Sequence, residues 1–246
     1  MGSLGTVQFN DVSGSAANAI DDVLPKAYEE TWDGTSHSSS FHSFGSSTQS
    51  GSVDYRLPAL SFGDMSLSLT ATYDPNAGSG APGAGGVGAN DHSGVAYTAK
   101  IDSGMGLAVG GGIEEVTTAS TATGASDLTR ATGYVTYSNG PISIGYQEMF
   151  QNTENAGDST TQAPDVEGDG IGIAFTQDNV SFSYAEVTEE VKDIAAVTSL
   201  ETEMTALQAT YTMGAMTLGA SMYETDNPEG TTGKYEETEL SVSFAF

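Results

Sequence analysis

Apolar residues at every second position recur in segment after segment of this 246-residue chain, and the segments are joined by long and short connections in strict alternation. Period two marks a β-strand whose two faces meet different surroundings, because successive side chains point to opposite sides of the pleat. In "DMSLSLTATYD", Met65, Leu67, Leu69, Ala71 and Tyr73 share one face, while Ser66, Ser68, Thr70 and Thr72 share the other. "VSFSYAEV" sets Val180, Phe182 and Tyr184 against Ser181, Ser183 and Ala185. The closing "ETELSVSFAF" sets Leu240, Val242, Phe244 and Phe246 against Glu239, Ser241, Ser243 and Ala245. The pattern predicts twelve strands, near 3–10, 51–57, 64–74, 92–102, 105–118, 128–138, 141–152, 167–177, 180–190, 200–213, 215–225 and 235–246. Many of these exceed the usual length of globular strands and approach what a tilted strand needs to cross a bilayer.

The short connections are 58–63, 103–104, 139–140, 178–179 and 214, several carrying the Asn/Asp/Gly chemistry of tight hairpins. The long ones are 11–50, 75–91, 119–127, 153–166, 191–199 and 226–234, rich in Gly, Ser, Thr, Asp and Pro. A soluble sandwich has no reason to keep every long loop at one end. A transmembrane barrel does, with short turns on one side of the membrane and long loops on the other. The fold expected is therefore all-β, a transmembrane antiparallel up-and-down β-barrel forming one domain over 1–246. In lipid every backbone N–H and C=O must be paired within the protein, so strands span only as a closed cylinder. Its oily face then meets acyl chains, and the small polar face surrounds water.

Composition narrows the function. Six Lys+Arg against 33 Asp+Glu give a formal charge of −27, which excludes an ordinary nucleic-acid partner, since that needs a basic footprint. It also opposes electrostatic attachment to anionic lipid. Cysteine is absent, so neither a disulfide framework nor a thiolate metal site exists. No run of eighteen apolar residues is present to form a spanning helix. The start "MGSLGTVQFN" has no signal-peptide regions, and the expectation is a chain that begins within a longer reading frame or after a removed leader. An enzyme built on such a barrel needs a nucleophile–His pair on its wall. His37, His42 and His92 lie in or beside loops amid Ser and Gly, so no enzymatic activity is expected. No cofactor is expected either. Closely spaced acids are ligands of the kind Ca²⁺ takes, but "DVEGDG" at 165–170 only echoes a calcium loop.

The long first loop, 11–50, contains "AANAIDDVLPKAYEETWDG". Ile20, Val23, Leu24, Ala27 and Tyr28 have an amphipathic helical spacing, and Pro25 should kink or shorten that helix. A forty-residue loop with its own apolar face needs a surface to bury it against, and the inner barrel wall is the expected one. Strand parity makes Arg56, Lys100 and Arg130 candidates for a basic inner wall.

"AIDDVLPKAYEETWDG" followed by "DYRLPALSFGDMSLSLTATYDPNAG" resembles the constriction-loop region of alphaproteobacterial general porins, and "ATYTMGAMTLGASMYETDN…ELSVSFAF" is similar to their C-terminal strands. In that family the barrel has about sixteen strands, and the constriction loop follows the fifth. Here it follows the first of twelve, which fits a chain lacking the first four strands. The resemblance implies a homotrimeric channel of the bacterial outer membrane, set in outer-membrane lipid, through which small hydrophilic solutes and ions diffuse passively. It implies that Asp21, Asp22, Glu29, Glu30 and Asp33 line the pore constriction with Lys26 as a local counter-ion. Phe244 and Phe246 then form the C-terminal signal read by the barrel-assembly machinery. Carboxylates at a constriction focus a negative potential and enrich cations, so cation preference is expected. Two plainer readings stand beside this one. In one the loop acids serve only to solvate a surface loop, and in the other the whole chain is a soluble or surface-displayed acidic β-protein, an adhesin or filament subunit. The acidity, the Gly/Thr content and the lack of Cys suit the latter; the loop-length alternation does not.

Overall fold

Period-two patterning becomes a single antiparallel ribbon in which each strand pairs with its neighbours in sequence. The structure, a computed structural model, describes residues 4–10, 14–31, 43–48, 51–77, 92–118, 125–156, 165–192, 201–228 and 231–245. Thirteen strands form in them: β1 (Thr6–Phe9), β2 (Val53–Arg56), β3 (Leu60–Phe62), β4 (Met65–Asp74), β5 (His92–Asp102), β6 (Leu107–Thr118), β7 (Ala125–Asn139), β8 (Ile142–Ala156), β9 (Asp165–Gln177), β10 (Val180–Lys192), β11 (Thr202–Met213), β12 (Met216–Asp226) and β13 (Lys234–Phe244). Pairing runs from β1 through β2 and β4 and onward in order to β13, with β3 also on β4. Among the described residues no ladder joins β1 to β13. No described helix is long and apolar enough to cross a membrane, which says nothing about crossing by strands.

Two expectations need correction. The segment 58–63 is not a short turn: Leu60–Phe62 is a strand paired with Met65–Leu67, and the hairpin lies at Gly63, with φ +65°. Strands β2 and β3 occupy successive parts of the same edge of β4, so the expected second strand is one strand interrupted. Pro58 stands at the interruption and has no N–H to give the ladder. The second correction concerns the helix expected around Ile20–Tyr28. Only a 3₁₀ turn at Asn18–Ile20 forms, and 21–31 carries no helix.

Register fixes what each face presents. Ile144, Ile173, Tyr184, Leu207 and Met222 pair across five consecutive strands as one row. All of them are exposed, Leu207 at 54% and Met222 at 59%. Tyr97, Ile113, Leu218, Leu240 and Val242 extend this apolar surface, with Leu240 at 80% exposed. A continuous apolar face of that kind is far more than a soluble monomer usually shows to water. One residue along, the same five strands present Gly145, Gly172, Ala185, Ala206 and Tyr223 on the opposite face.

That second face is partly covered by the segment 14–31, here called the strap. Leu24 packs with Met149, Ala185, Val187 and Met204, and Ala17 with Phe44 and Ala96, Ile20 lying against the latter group. Burying Leu24, 3% exposed, contributes roughly 1.5–3 kcal/mol. The core thus lies between strap and wall rather than between two stacked sheets.

Candidate functional site

Beyond the 3₁₀ turn at Asn18–Ile20 the strap has no helix or strand, so its main-chain N–H and C=O groups are available to partners outside it, and wall side chains take them up. The Val23 N–H donates to Gln147 Oε1 at 2.9 Å, while Gln147 Nε2 donates to the carbonyls of Ile20 and Asp21 at 3.0 and 3.1 Å. Farther on, the Tyr28 N–H donates to Gln208 Oε1 at 3.0 Å, and Gln208 Nε2 donates to the Glu29 carbonyl at 2.6 Å. Between them the Ala27 N–H donates to Ser183 Oγ at 2.8 Å. The Tyr28 hydroxyl donates to Glu239 Oε1 at 3.0 Å, reaching the last strand. At the other end the Ala16 N–H donates to Asp54 Oδ2 on β2 at 3.0 Å. The strap therefore runs from β2 across β8, β10 and β11 to β13. A helix would have used these same groups internally, and Pro25, in the middle of the expected helical segment, has no N–H to continue one.

Charge on the strap is uneven in exposure. Asp22 is buried, its side chain 1% exposed, and it accepts from the Leu24 N–H at 2.8 Å and from Lys26 Nζ at 3.5 Å. Lys26 is exposed and also donates to Glu30 Oε1 at 2.8 Å. Asp21, Glu29 and Glu30 are half-buried. Burial pushes the Asp21 carboxyl up to about 7, with Glu30 and Asp22 adding to the shift and the Asp22 N–H and Lys26 opposing it. Burial also raises Asp22, against the pull of Lys26. Burial works against the charge of the Lys26 ammonium, yet Asp22 and Glu30 hold it above its ordinary value. Asp33 lies outside the described residues, as do His37, His42 and Phe246.

The three wall cations have different surroundings. Arg130 is nearly buried and donates to Glu114 Oε2 at 3.0 Å, to Gln151 at 2.8 Å and to Ser47 at 2.9 Å. Glu114 is fully buried and also accepts from the Gly45 N–H and the Thr48 hydroxyl at 3.1 Å each, fastening residues 45–48 to β6. Arg56 pairs with buried Asp54 at 3.1 Å, and Lys100 lies 3.8 Å from Asp102. Arg56 and Lys100 keep 44% and 49% of their side-chain exposure, and together with Ala19, Ile20 and Tyr134 they border a cavity of about 210 Å³ beside the strap. Phe244 is exposed on the apolar face at the end of β13.

Sequence reasoning did not single out Gln147, Gln208, Asp54 or Glu114. Their signal was available in part: each is a polar or charged side chain on the strand face that also carries many of the small Gly, Ser, Thr and Ala residues. No cluster of His, Cys, Asp and Glu suited to a metal occurs among the described residues.

An antiparallel up-and-down ribbon, apolar on one face and crossed on the other by an inlaid strap, defines a porin-like fold. No protein-family model matches the chain, and no curated protein matches it. Among solved structures it is similar to a porin at a TM-score of 0.68 and 16% identity, covering 100% of this chain and 79% of that one. It is similar to the anion-selective porin from Comamonas acidovorans at 0.64 and 13%, covering 100% and 76%. It is also similar to OmpT, an outer-membrane protein of Vibrio cholerae, at 0.60 and 12%, covering 98% and 75%. At these identities the shared property is the fold.

Proposed function

We propose that this chain forms a channel of the bacterial outer membrane for passive diffusion of small hydrophilic solutes and ions, with preference for cations. The observation that carries the reading is the two-faced ribbon. Its apolar row suits acyl chains, and its opposite face bears the strap and its acids. The porin-like fold supports the same reading, and so does the resemblance of the strap sequence to a constriction loop. A soluble adhesin or filament subunit would have to keep Leu207, Met222 and Leu240 in water, which is unfavourable at about 25 cal/mol for each Å² of apolar surface.

Passive passage requires no chemical step, so the residues act by shape and field. The strap narrows the lumen, and Asp21, Glu29 and Glu30 place carboxylates along it, Glu30 paired with Lys26, with Asp33 assigned to the same rim. Asp22 is spent internally on Leu24 and Lys26. Arg56 and Lys100, although paired with Asp54 and Asp102, keep exposed side chains beside the strap as the accessible basic wall, whereas Arg130 is mostly buried against Glu114. One structurally similar porin is anion-selective, so the cation preference proposed here rests on this chain's own acids and not on the fold. In this reading the native assembly is a homotrimer in outer-membrane lipid, delivered by the barrel-assembly machinery through the C-terminal aromatic signal. No cofactor takes part. The test is the reversal potential of the reconstituted protein across a tenfold KCl gradient. The sign for K⁺ over Cl⁻ is expected; anion preference would reject the acidic-constriction assignment.

A further inference from the structure

The strap could in principle be held by its own charges or by the wall beneath it. Two ion pairs lie within the strap itself, Asp22 with Lys26 and Lys26 with Glu30. Its main chain, by contrast, is gripped at two points by amides that come from the wall and are otherwise buried. Gln147 is 0% and Gln208 2% exposed, and each both accepts from a strap N–H and donates to a strap carbonyl. Such two-sided bonding fixes position as well as affinity, because sliding the strap breaks donor and acceptor together. Between the two grips Pro25 lies against glycines. A Cβ at Gly145 would come within 2.7 Å of Pro25 Cδ, and one at Gly172 within 3.2 Å of both Pro25 Cδ and Leu24 Cβ. Even alanine has no room at Gly145 without lifting the strap.

We propose that the bore of the channel is set by this wall bed: Gln147 and Gln208 draw the strap outward, and Gly145 and Gly172 let it lie flush. These four are positioning residues, and the assignment rests on the channel reading given above. It follows that the bore can be changed without touching a charge. Removing the grips lets the strap leave the wall, and filling the glycine bed pushes it toward the axis, so both narrow the bore.

The test is unitary current and polymer exclusion, measured in planar bilayers on the full chain. Gln147→Met with Gln208→Met keeps side-chain length and removes both grips; it should lower unitary conductance by about 1.5-fold or more and add open-channel noise. Gly145→Val should lower conductance to about half or less and exclude smaller polymers. Neither should reverse the ion preference. A purely structural role would alter how many channels insert, not the current through each. If the double variant inserts poorly, the single Gln147→Met and Gln208→Met variants should each show a smaller fall. Native-like or raised conductance in the glutamine variants, or a rise in Gly145→Val, overturns the proposal while leaving the channel intact. Absence of any current step from the unmodified chain overturns the channel reading and this one with it.

Discussion

Asp21 has the most telling titration on the strap. Its carboxyl is pushed from 3.8 up to about 7, chiefly by burial, so at pH 6 it is mostly neutral and at pH 8 mostly charged. The native chain should therefore become more cation-preferring as pH rises from 6 to 8, and Asp21→Asn should lose that step, measured as permeability ratios from reversal potentials. The sign also bears on docking. Between 3.8 and about 7 the folded strap binds more proton than the free one, so its attachment weakens as pH rises through that window. Lys26 and Glu30 face the same carboxyl, with the Asn18 amide donating to it at 2.9 Å, and none of these needs to change for the effect. A second residue-scale outcome concerns Arg130. Its replacement by Met leaves the fully buried Glu114 carboxylate without its cation, a loss of about 3–5 kcal/mol for a broken buried pair. Arg130→Met should lower the temperature at which the folded species converts to the unfolded band on SDS gels, and adding Glu114→Gln should recover much of the loss.

Strands were legible because alternation is a local property. Each strand states its own two faces, and Gly140, Asp178 and Gly214 adopt the positive φ that their hairpin turns need. Elements shaped by distant groups were not legible. The helical spacing of Ile20, Val23, Leu24, Ala27 and Tyr28 is present in the sequence, but Gln147 and Gln208 take the strap's main-chain bonds from positions 124 and 180 residues away. No local pattern announces that competition. Pro58 was visible, yet its effect could be placed only once Leu60–Phe62 was seen to continue along β4. The parity of Arg130 and Lys100 was readable from their strands, whereas their different pairing, one buried with Glu114 and one exposed beside Asp102, depends on registry between strands. One experiment belongs at this scale. Leu207 and Thr210 lie on opposite faces of β11. Leu207→Lys should cost about 2–4 kcal/mol in lipid if it sits near the bilayer midplane. Thr210→Lys should cost much less, both read from denaturant titration in micelles or vesicles.

For the whole molecule, the account depends on which face meets lipid. A soluble sandwich would turn Ile173 and Leu207 inward against a second layer; here the buried side chains gather under the strap on the other face. Water should therefore lie on the side that carries Gln147, Gln208 and the strap acids, and hydrocarbon on the side that carries the apolar row. The chain contains no cysteine, so a single introduced thiol is an unambiguous reporter. The most direct measurement places one cysteine at a time along residues 205–212 of β11 in protein reconstituted into vesicles, and compares reaction with a charged aqueous thiol reagent and quenching of an attached label by a lipid-soluble quencher. The account predicts lipid quenching at 205, 207, 209 and 211 and aqueous reaction at 210 and 212, with 206 and 208 shielded by the strap. Quenching on the even positions, or no difference between odd and even, would contradict it.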